Sequence, residues 1–135
     1  MSNETEKLTI NLSVVELAQI DVLVEQGIYS NRSDFIRTAI RKDLELHREK
    51  IERHLTPLGS KESWEWMVGV GGVDKAGLEE WAAGGNKKMN ISAVGVFIVP
   101  KDISLELFEK AIGKVIVRGK IVASDEIKEA INKMK

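Results

Sequence analysis

Residues 7–12 read Lys-Leu-Thr-Ile-Asn-Leu, and their polar and apolar side chains alternate strictly. This is the period of a β-strand with one covered face. Leu8, Ile10 and Leu12 are predicted to point to one side, with the polar residues on the other. A lone short strand is not stable, because its backbone groups need partners. Two helical patterns follow and no second strand does, so we expect the partner strand to come from a second copy of the chain.

The segment after this strand has the pattern of an amphipathic helix. Ser13 with Glu16 three residues later is the sequence of a capping box, in which each side chain bonds the other residue's backbone N–H. Leu17, Ile20 and Val24 then recur at helical spacing. Gly27 is predicted to end the helix, because glycine adopts the left-handed conformation at low cost.

A second helix is predicted from Asn31 to about Leu55, with Ser30 as its N-cap. Apolar residues recur at helical spacing along this segment, and Pro57 and Gly59 follow it. We therefore expect three parts in the chain: a first domain at 1–55, a linker at 56–61 and a second domain at 62–135.

The second domain has its own pattern. Residues 91–99 are mostly β-branched and read as a buried strand, and Asp102 or Ser104 is placed to cap a helix that runs through Ile112. A second strand is predicted at 114–122 and a last helix after Ser124. The order strand, helix, strand, helix predicts a small α/β domain, and the whole chain is expected to be α+β.

Composition and charge limit the classes of protein that fit. The 135 residues are 43 % hydrophobic and 30 % charged, which is typical of a globular protein. The net charge is -1, and residues 1–58 hold eight Lys and Arg against ten Asp and Glu, so bulk charge does not support nucleic-acid binding. Cysteine is absent, which excludes disulfides and thiol chemistry. The acidic N-terminus is not a signal peptide and no apolar run would span a membrane, so we expect a cytoplasmic protein.

Residues 7–46 resemble the ribbon-helix-helix family of DNA-binding proteins, the Arc, MetJ and CopG type. The resemblance rests on Lys-Leu-Thr-Ile-Asn-Leu-Ser at 7–13, the capped helix up to Gly27, and Tyr-Ser-Asn-Arg-Ser-Asp-Phe-Ile-Arg-Thr-Ala-Ile-Arg at 29–41. In that family two strands, one from each chain of a homodimer, pair antiparallel and lie in the major groove of double-stranded DNA. The N-terminal part of this chain is therefore expected to be a dimeric ribbon-helix-helix domain.

The resemblance also assigns the residues that contact DNA. Lys7, Thr9 and Asn11 correspond to the outward strand residues that read base edges, and their donors and acceptors suit guanine, thymine and adenine. An ordinary strand with a solvated polar face is the alternative interpretation. The family binds a phosphate at the start of its second helix. Here this implies a site made of Ser30, Asn31, Arg32 and Ser33, in which the backbone amides of residues 31–33 donate to the phosphate and the Arg32 charge assists. A simple helix cap is compatible with that role.

No metal site or cofactor is predicted. A nickel-responsive branch of the family uses histidines and a cysteine in its second domain, whereas residues 55–135 contain neither, and His47 and His54 read as surface residues. Residues 68–73, Val-Gly-Val-Gly-Gly-Val, lack both the third glycine of a dinucleotide fingerprint and the Lys-Ser/Thr of a P-loop. They are predicted to form a glycine-rich turn beside a strand. The three tryptophans are expected in the core or at an interface.

The hypothesis that follows is a non-enzymatic transcriptional repressor or autoregulator, a homodimer or a higher oligomer. Its second domain would add oligomerisation, or binding of an unidentified small ligand or protein. One alternative is an antitoxin, in which the same dimer binds DNA and the tail binds a toxin. Another is that the second domain is a small enzyme or nucleotide binder tethered to DNA, which the lack of a catalytic constellation disfavours.

Overall fold

A computed structural model of the chain describes residues 5–57, 59–85 and 87–134. These residues form six helices and three strands, and the chain divides into two compact units, Met1–Ile51 and Glu52–Lys135, called unit 1 and unit 2 here. Residue 58 of the predicted linker lies outside the described part. In chain order the elements are α1 (Val14–Glu25), α2 (Arg32–Leu46), α3 (Arg48–Arg53), β1 (Trp64–Gly72), α4 (Lys75–Ala83), β2 (Met89–Ile98), α5 (Leu105–Ala111), β3 (Ile112–Val122) and α6 (Asp125–Lys133).

The predicted capping box at the start of α1 is confirmed. The Ser13 Oγ accepts the Glu16 N–H at 3.1 Å, and the Glu16 carboxylate accepts the Ser13 N–H at 3.3 Å. The hydroxyl of Ser13 also donates to this carboxylate, which lowers the pKa of Glu16. Gly27 follows the helix with φ +76°, and the Ile28 N–H closes the end on the Leu23 carbonyl at 3.0 Å. Local sequence signals thus set both ends of α1.

The second helix differs from its prediction at both ends. Its N-cap is Asn31, not Ser30, because the Asn31 side chain is the group that accepts the Asp34 N–H. The helix ends at Leu46, not Leu55. His47 has φ -101° and ψ 10°, outside the helical values, and the chain resumes as the short helix α3. Apolar residues recur at helical spacing both before and after His47, so the periodicity of the sequence did not indicate this break in the helix.

The predicted N-terminal strand is absent from the single chain: residues 5–13 belong to no helix or strand. The sequence predicts this strand only as one half of a ribbon shared by two chains, and the single chain does not form it. A strand exists only when its backbone groups pair with a neighbour, and no other described segment of the chain pairs with this one. The strands that do form lie late in the chain and are parallel to one another.

Unit 2 contains a three-stranded parallel sheet in the order β1-β2-β3. The strand predicted at 91–99 is β2 and the one predicted at 114–122 is β3, while Ser104 and Ser124 cap α5 and α6. The prediction for residues 68–73 is wrong, because Val68 to Gly72 lie inside β1 rather than in a turn. Their three glycines weakened the strand signal, yet β1 pairs with β2 along its whole length.

The helices α4, α5 and α6 share one core with the sheet. Its fully buried members include Leu78 from α4, Phe108 from α5, Ile131 from α6, and Phe97 and Val115 from the strands. On β2 the core residues alternate as Ile91, Ala93 and Phe97. One face of the sheet therefore packs against the helices, as expected of an α/β unit.

Candidate nucleic-acid interface

Unit 1 has almost no core of its own. Among its described residues Ile20 is the only buried hydrophobic side chain, and α2 contributes none. A cavity of about 380 Å³ lies between α1, α2 and the N-terminal segment, and its apolar lining includes Ile10, Leu12, Leu23 and Ile36. An amphipathic pair of helices with an unfilled apolar groove is incomplete, because hydrophobic residues stabilise a fold only where they are removed from water.

Many large apolar side chains of unit 1 are exposed instead. Leu8 is 81 % exposed and Ile10 52 %, although the alternating pattern of 7–12 predicts that this face is covered. The other exposed members are Val14, Val15, Val22, Ile28, Ile40, Leu44 and Leu46. Exposed apolar surface on this scale marks an interface with another molecule.

The predicted base-reading residues lie on this same N-terminal segment. Lys7, Thr9 and Asn11 are all exposed. They alternate with Leu8 and Ile10, so pairing of the segment as a strand would place the three polar side chains on the face opposite the apolar ones. In the single chain nothing fixes that face, and the assignment stays a prediction.

The N-terminus of α2 is a tightly bonded turn. The Asn31 Oδ1 accepts the Asp34 N–H at 2.8 Å, and the Asp34 carboxylate accepts the Ser30 N–H at 2.9 Å. Ser30, Asn31, Arg32 and Ser33 are all exposed. The amides of Arg32 and Ser33 are the first two of the helix, and no carbonyl of the helix itself reaches such amides. The turn therefore presents backbone donors and the positive end of a helix dipole to solvent.

Arg32 has a partner that sequence reasoning missed. Its Nε lies 2.8 Å from the Asp21 Oδ1 and its Nη2 lies 2.9 Å from the Asp21 Oδ2, a two-point contact between α2 and α1. The hydrogen bonds lower the pKa of Asp21 and raise that of Arg32. No local spacing rule relates two residues eleven positions apart, so the sequence carried no signal for the pair. The guanidinium retains further N–H donors beside the start of α2.

Two other features bear on ligands. Among residues 5–57, 59–85 and 87–134, no cluster of three or more His, Cys, Asp or Glu side chains is placed to hold a metal ion. His47 lies between α2 and α3 and is partly exposed, with its Nδ1 2.9 Å from the Asp43 carbonyl oxygen. In unit 2 a cavity of about 390 Å³ between β1 and α4 is lined by apolar side chains such as Met67, Leu78 and Phe97, and by Glu65 and Asp74. That volume falls in the usual range for small-molecule sites.

Comparison with known proteins identifies a family. The model of the Ribbon-Helix-Helix transcriptional regulator family matches residues 3–128, which covers nearly the whole chain and both units. The comparison with curated proteins and the comparison with solved structures each gave no match.

Within the described part of the chain, no helix has the length and apolar character needed to cross a membrane.

Proposed function

This chain belongs to the ribbon-helix-helix family of transcriptional regulators, and we propose that it acts as a homodimeric repressor or autoregulator. Regulators of this family bind DNA and usually form dimers. In the proposed dimer residues 7–12 of two chains pair as an antiparallel ribbon that enters the major groove.

The observation that carries this proposal is the incomplete core of unit 1. A second copy would supply the missing apolar partners: Leu8, Ile10 and Leu12 of the two strands would close over the groove between α1 and α2. The same pairing would satisfy the backbone groups of residues 7–12. Folding of unit 1 and dimer formation would then be one event.

Base reading is assigned to the polar face of the ribbon. Asn11 would bond adenine at two atoms, Lys7 would donate to guanine, and Thr9 would donate, accept or contact a thymine methyl group. Because the ribbon has two-fold symmetry, each side chain would act twice on related half-sites.

Phosphate binding is assigned to the start of α2. The amides of Arg32 and Ser33 would donate to one phosphate oxygen each, with the hydroxyls of Ser30 and Ser33 beside them. Asn31 shapes the turn through its bond to Asp34. Asp21 holds the Arg32 guanidinium at two points, and the remaining donors of Arg32 would bind the phosphate.

Roles are proposed for each part of the chain. Residues 1–55 would dimerise and bind DNA, residues 56–61 would link, and residues 62–135 would associate with other copies or bind an effector. An effector that is a small molecule would fit the cavity between β1 and α4.

The experiment is selection of bound sequences from a random pool of DNA duplexes, followed by titration of the selected site and a scrambled site. The proposal predicts a two-fold symmetric consensus and a dimer bound to it. A chain that enriches no sequence, or that binds only as a monomer, would contradict it. Repression is then tested by placing the selected site in a promoter that drives a reporter gene.

A further inference from the structure

Among the described helices of unit 2, α4, α5 and α6 pack against one face of the parallel sheet. Residues of α4, α5 and α6 join the core together with Met67, Ile91, Ala93 and Phe97 of β1 and β2. Parallel sheets are found almost only where both faces are covered. The opposite face of this sheet is therefore the part of unit 2 that needs an explanation.

The residues between those core positions point to the opposite face. Register pairs Val68 of β1 with Val94 of β2, and Val70 with Val96. Val68 is 54 % and Val70 71 % exposed, and the neighbouring Trp66 is 48 % exposed. We define the open face of the sheet by Trp66, Val68, Val70, Val94 and Val122, which are at least partly exposed. Ser92 and Val96 of the central strand lie on the same side but are buried, so the exposed apolar surface is concentrated on β1.

We propose that the open face of one chain packs against the open face of a second copy. The inference rests on the proposed function, because the partner would be the other chain of the regulator. Dimerisation through unit 1 brings two copies of unit 2 together on short connections. A tether of that length raises the effective concentration of the second unit to the order of millimolar, so a modest apolar surface is enough for pairing.

The charges beside the open face favour one arrangement. Arg118 lies exposed on β3, in register with Val94, whereas the residues of β1 on this face are uncharged. A two-fold axis parallel to the strands places β3 of each chain over β1 of its partner. Arg118 would then lie over the apolar and aromatic residues Trp66 and Val68, a contact that favours a guanidinium. An axis perpendicular to the strands would stack β3 on β3 and bring like charges together.

The absence of cysteine makes this arrangement directly testable in the full-length chain. Val94 lies on the central strand, so in the proposed pair it faces its own copy near the two-fold axis. A Val94→Cys chain should be joined efficiently by a thiol crosslinker that spans about 10 Å, the usual separation of packed sheets. Adding Val68→Lys to that chain should reduce crosslinking by about tenfold, because the lysine would face Arg118 of the other chain. Adding Val68→Thr, which preserves shape, should reduce it much less.

The matched control is Asn132→Cys, an exposed position on α6 and so on the helical side of unit 2. Dimerisation through unit 1 alone would crosslink both cysteine variants equally, and that result would overturn the inference. If Val94→Cys stays uncrosslinked while the chain is a dimer that binds its selected DNA, the inference is wrong and the proposed function stands. If the chain is a monomer without DNA binding, the proposed function fails and this inference fails with it.

Discussion

Single side chains of unit 1 would make the two kinds of DNA contact that we propose. Asn11 and Lys7 are exposed on a segment that local structure leaves unpaired, whereas Arg32 is already held by Asp21. In our proposal the first two would discriminate between bases, whereas the third is held by Asp21 beside the start of α2. Their substitution should therefore produce different effects on binding.

Asn11→Ala should weaken binding to the selected site by about 1–3 kcal/mol per base contacted, because a two-point bond to adenine is lost. Binding to scrambled DNA should change little, and Lys7→Ala should behave in the same way. The measurement is titration of both duplexes at one salt concentration, with Asn132→Ala as the control. Equal losses on the two duplexes would assign these side chains to phosphate contacts instead.

The Asp21–Arg32 pair should make unit 1 sensitive to acid. Its hydrogen bonds lower the pKa of Asp21 in the folded chain, and the capping box lowers that of Glu16. On acidification the unfolded chain takes up these protons first. The stabilisation is therefore complete above the ordinary carboxyl range and is lost as pH falls through the lowered pKa values.

Thermal unfolding between pH 6 and pH 3 checks this expectation, in about half-unit steps. Asp21→Asn should flatten the pH dependence of unit 1 relative to the unmodified chain. Glu25→Gln, an exposed position at the end of α1, is the control and should not flatten it. An unchanged slope in Asp21→Asn would mean that the pair adds nothing to stability.

Among the elements, the sheet of unit 2 has a glycine row that the sequence did not reveal. Gly69, Gly95 and Gly119 are in register on the three strands, and all have positive φ, from +115° to +135°. A Cβ on Gly95 would lie 2.1 Å from the Gly69 carbonyl oxygen, and one on Gly119 would lie 2.0 Å from that of Gly95. The three strands thus share a conformation that only glycine adopts without strain.

Gly95→Ala should therefore destabilise unit 2 by at least about 3 kcal/mol, because it adds both a backbone clash and a disfavoured φ. Gly71→Ala is the matched control. Its φ is not positive, and its Cβ would meet only the flexible end of Met67 at 3.2 Å, so we expect a change within about 1 kcal/mol. Chemical denaturation of both variants measures the difference. Similar losses in the two would show that the row has no special role.

The elements also show what sequence can and cannot predict. The cap at Ser13 and the glycine at 27 are local signals, so α1 was predicted with its ends. The break at His47 was missed because apolar residues recur at helical spacing on both sides of it. The strand β1 was missed because it contains three glycines, which are rare in strands. Asp21 was missed since its partner comes from the next helix. The proposed ribbon would need a second chain, so the single chain lacks it although the pattern of residues 7–12 predicts it.

At the scale of the whole molecule the two units differ in completeness. Unit 2 has its own core of buried residues, which include members of α4, β2, α5, β3 and α6. Unit 1 has one buried hydrophobic side chain among its described residues. We expect this difference to distinguish a regulator from an antitoxin, whose tail is usually disordered until it binds its toxin. The distinction is testable with a fragment of the chain.

A fragment of residues 62–135 should fold without any partner protein. It should unfold cooperatively and protect the amides of β2 from hydrogen exchange, because that strand is central and pairs on both sides. The comparison is a fragment of residues 1–55, which should unfold on dilution as its dimer dissociates. If residues 62–135 gave random-coil chemical shifts and became ordered only when a second protein was added, the antitoxin interpretation would replace the regulator interpretation.

The central claim is that residues 7–12 become a strand only by pairing with a second copy. Nuclear magnetic resonance on a dimer made from one isotope-labelled and one unlabelled chain tests this most directly. The account predicts contacts between backbone protons of 7–12 in the labelled chain and those of 7–12 in the unlabelled chain, in an antiparallel pattern. On adding the selected DNA, the side chains of Lys7, Thr9 and Asn11 should shift while Leu8 and Ile10 stay buried. If residues 7–12 show no contact between chains and remain unpaired at high concentration and with DNA, the account is wrong.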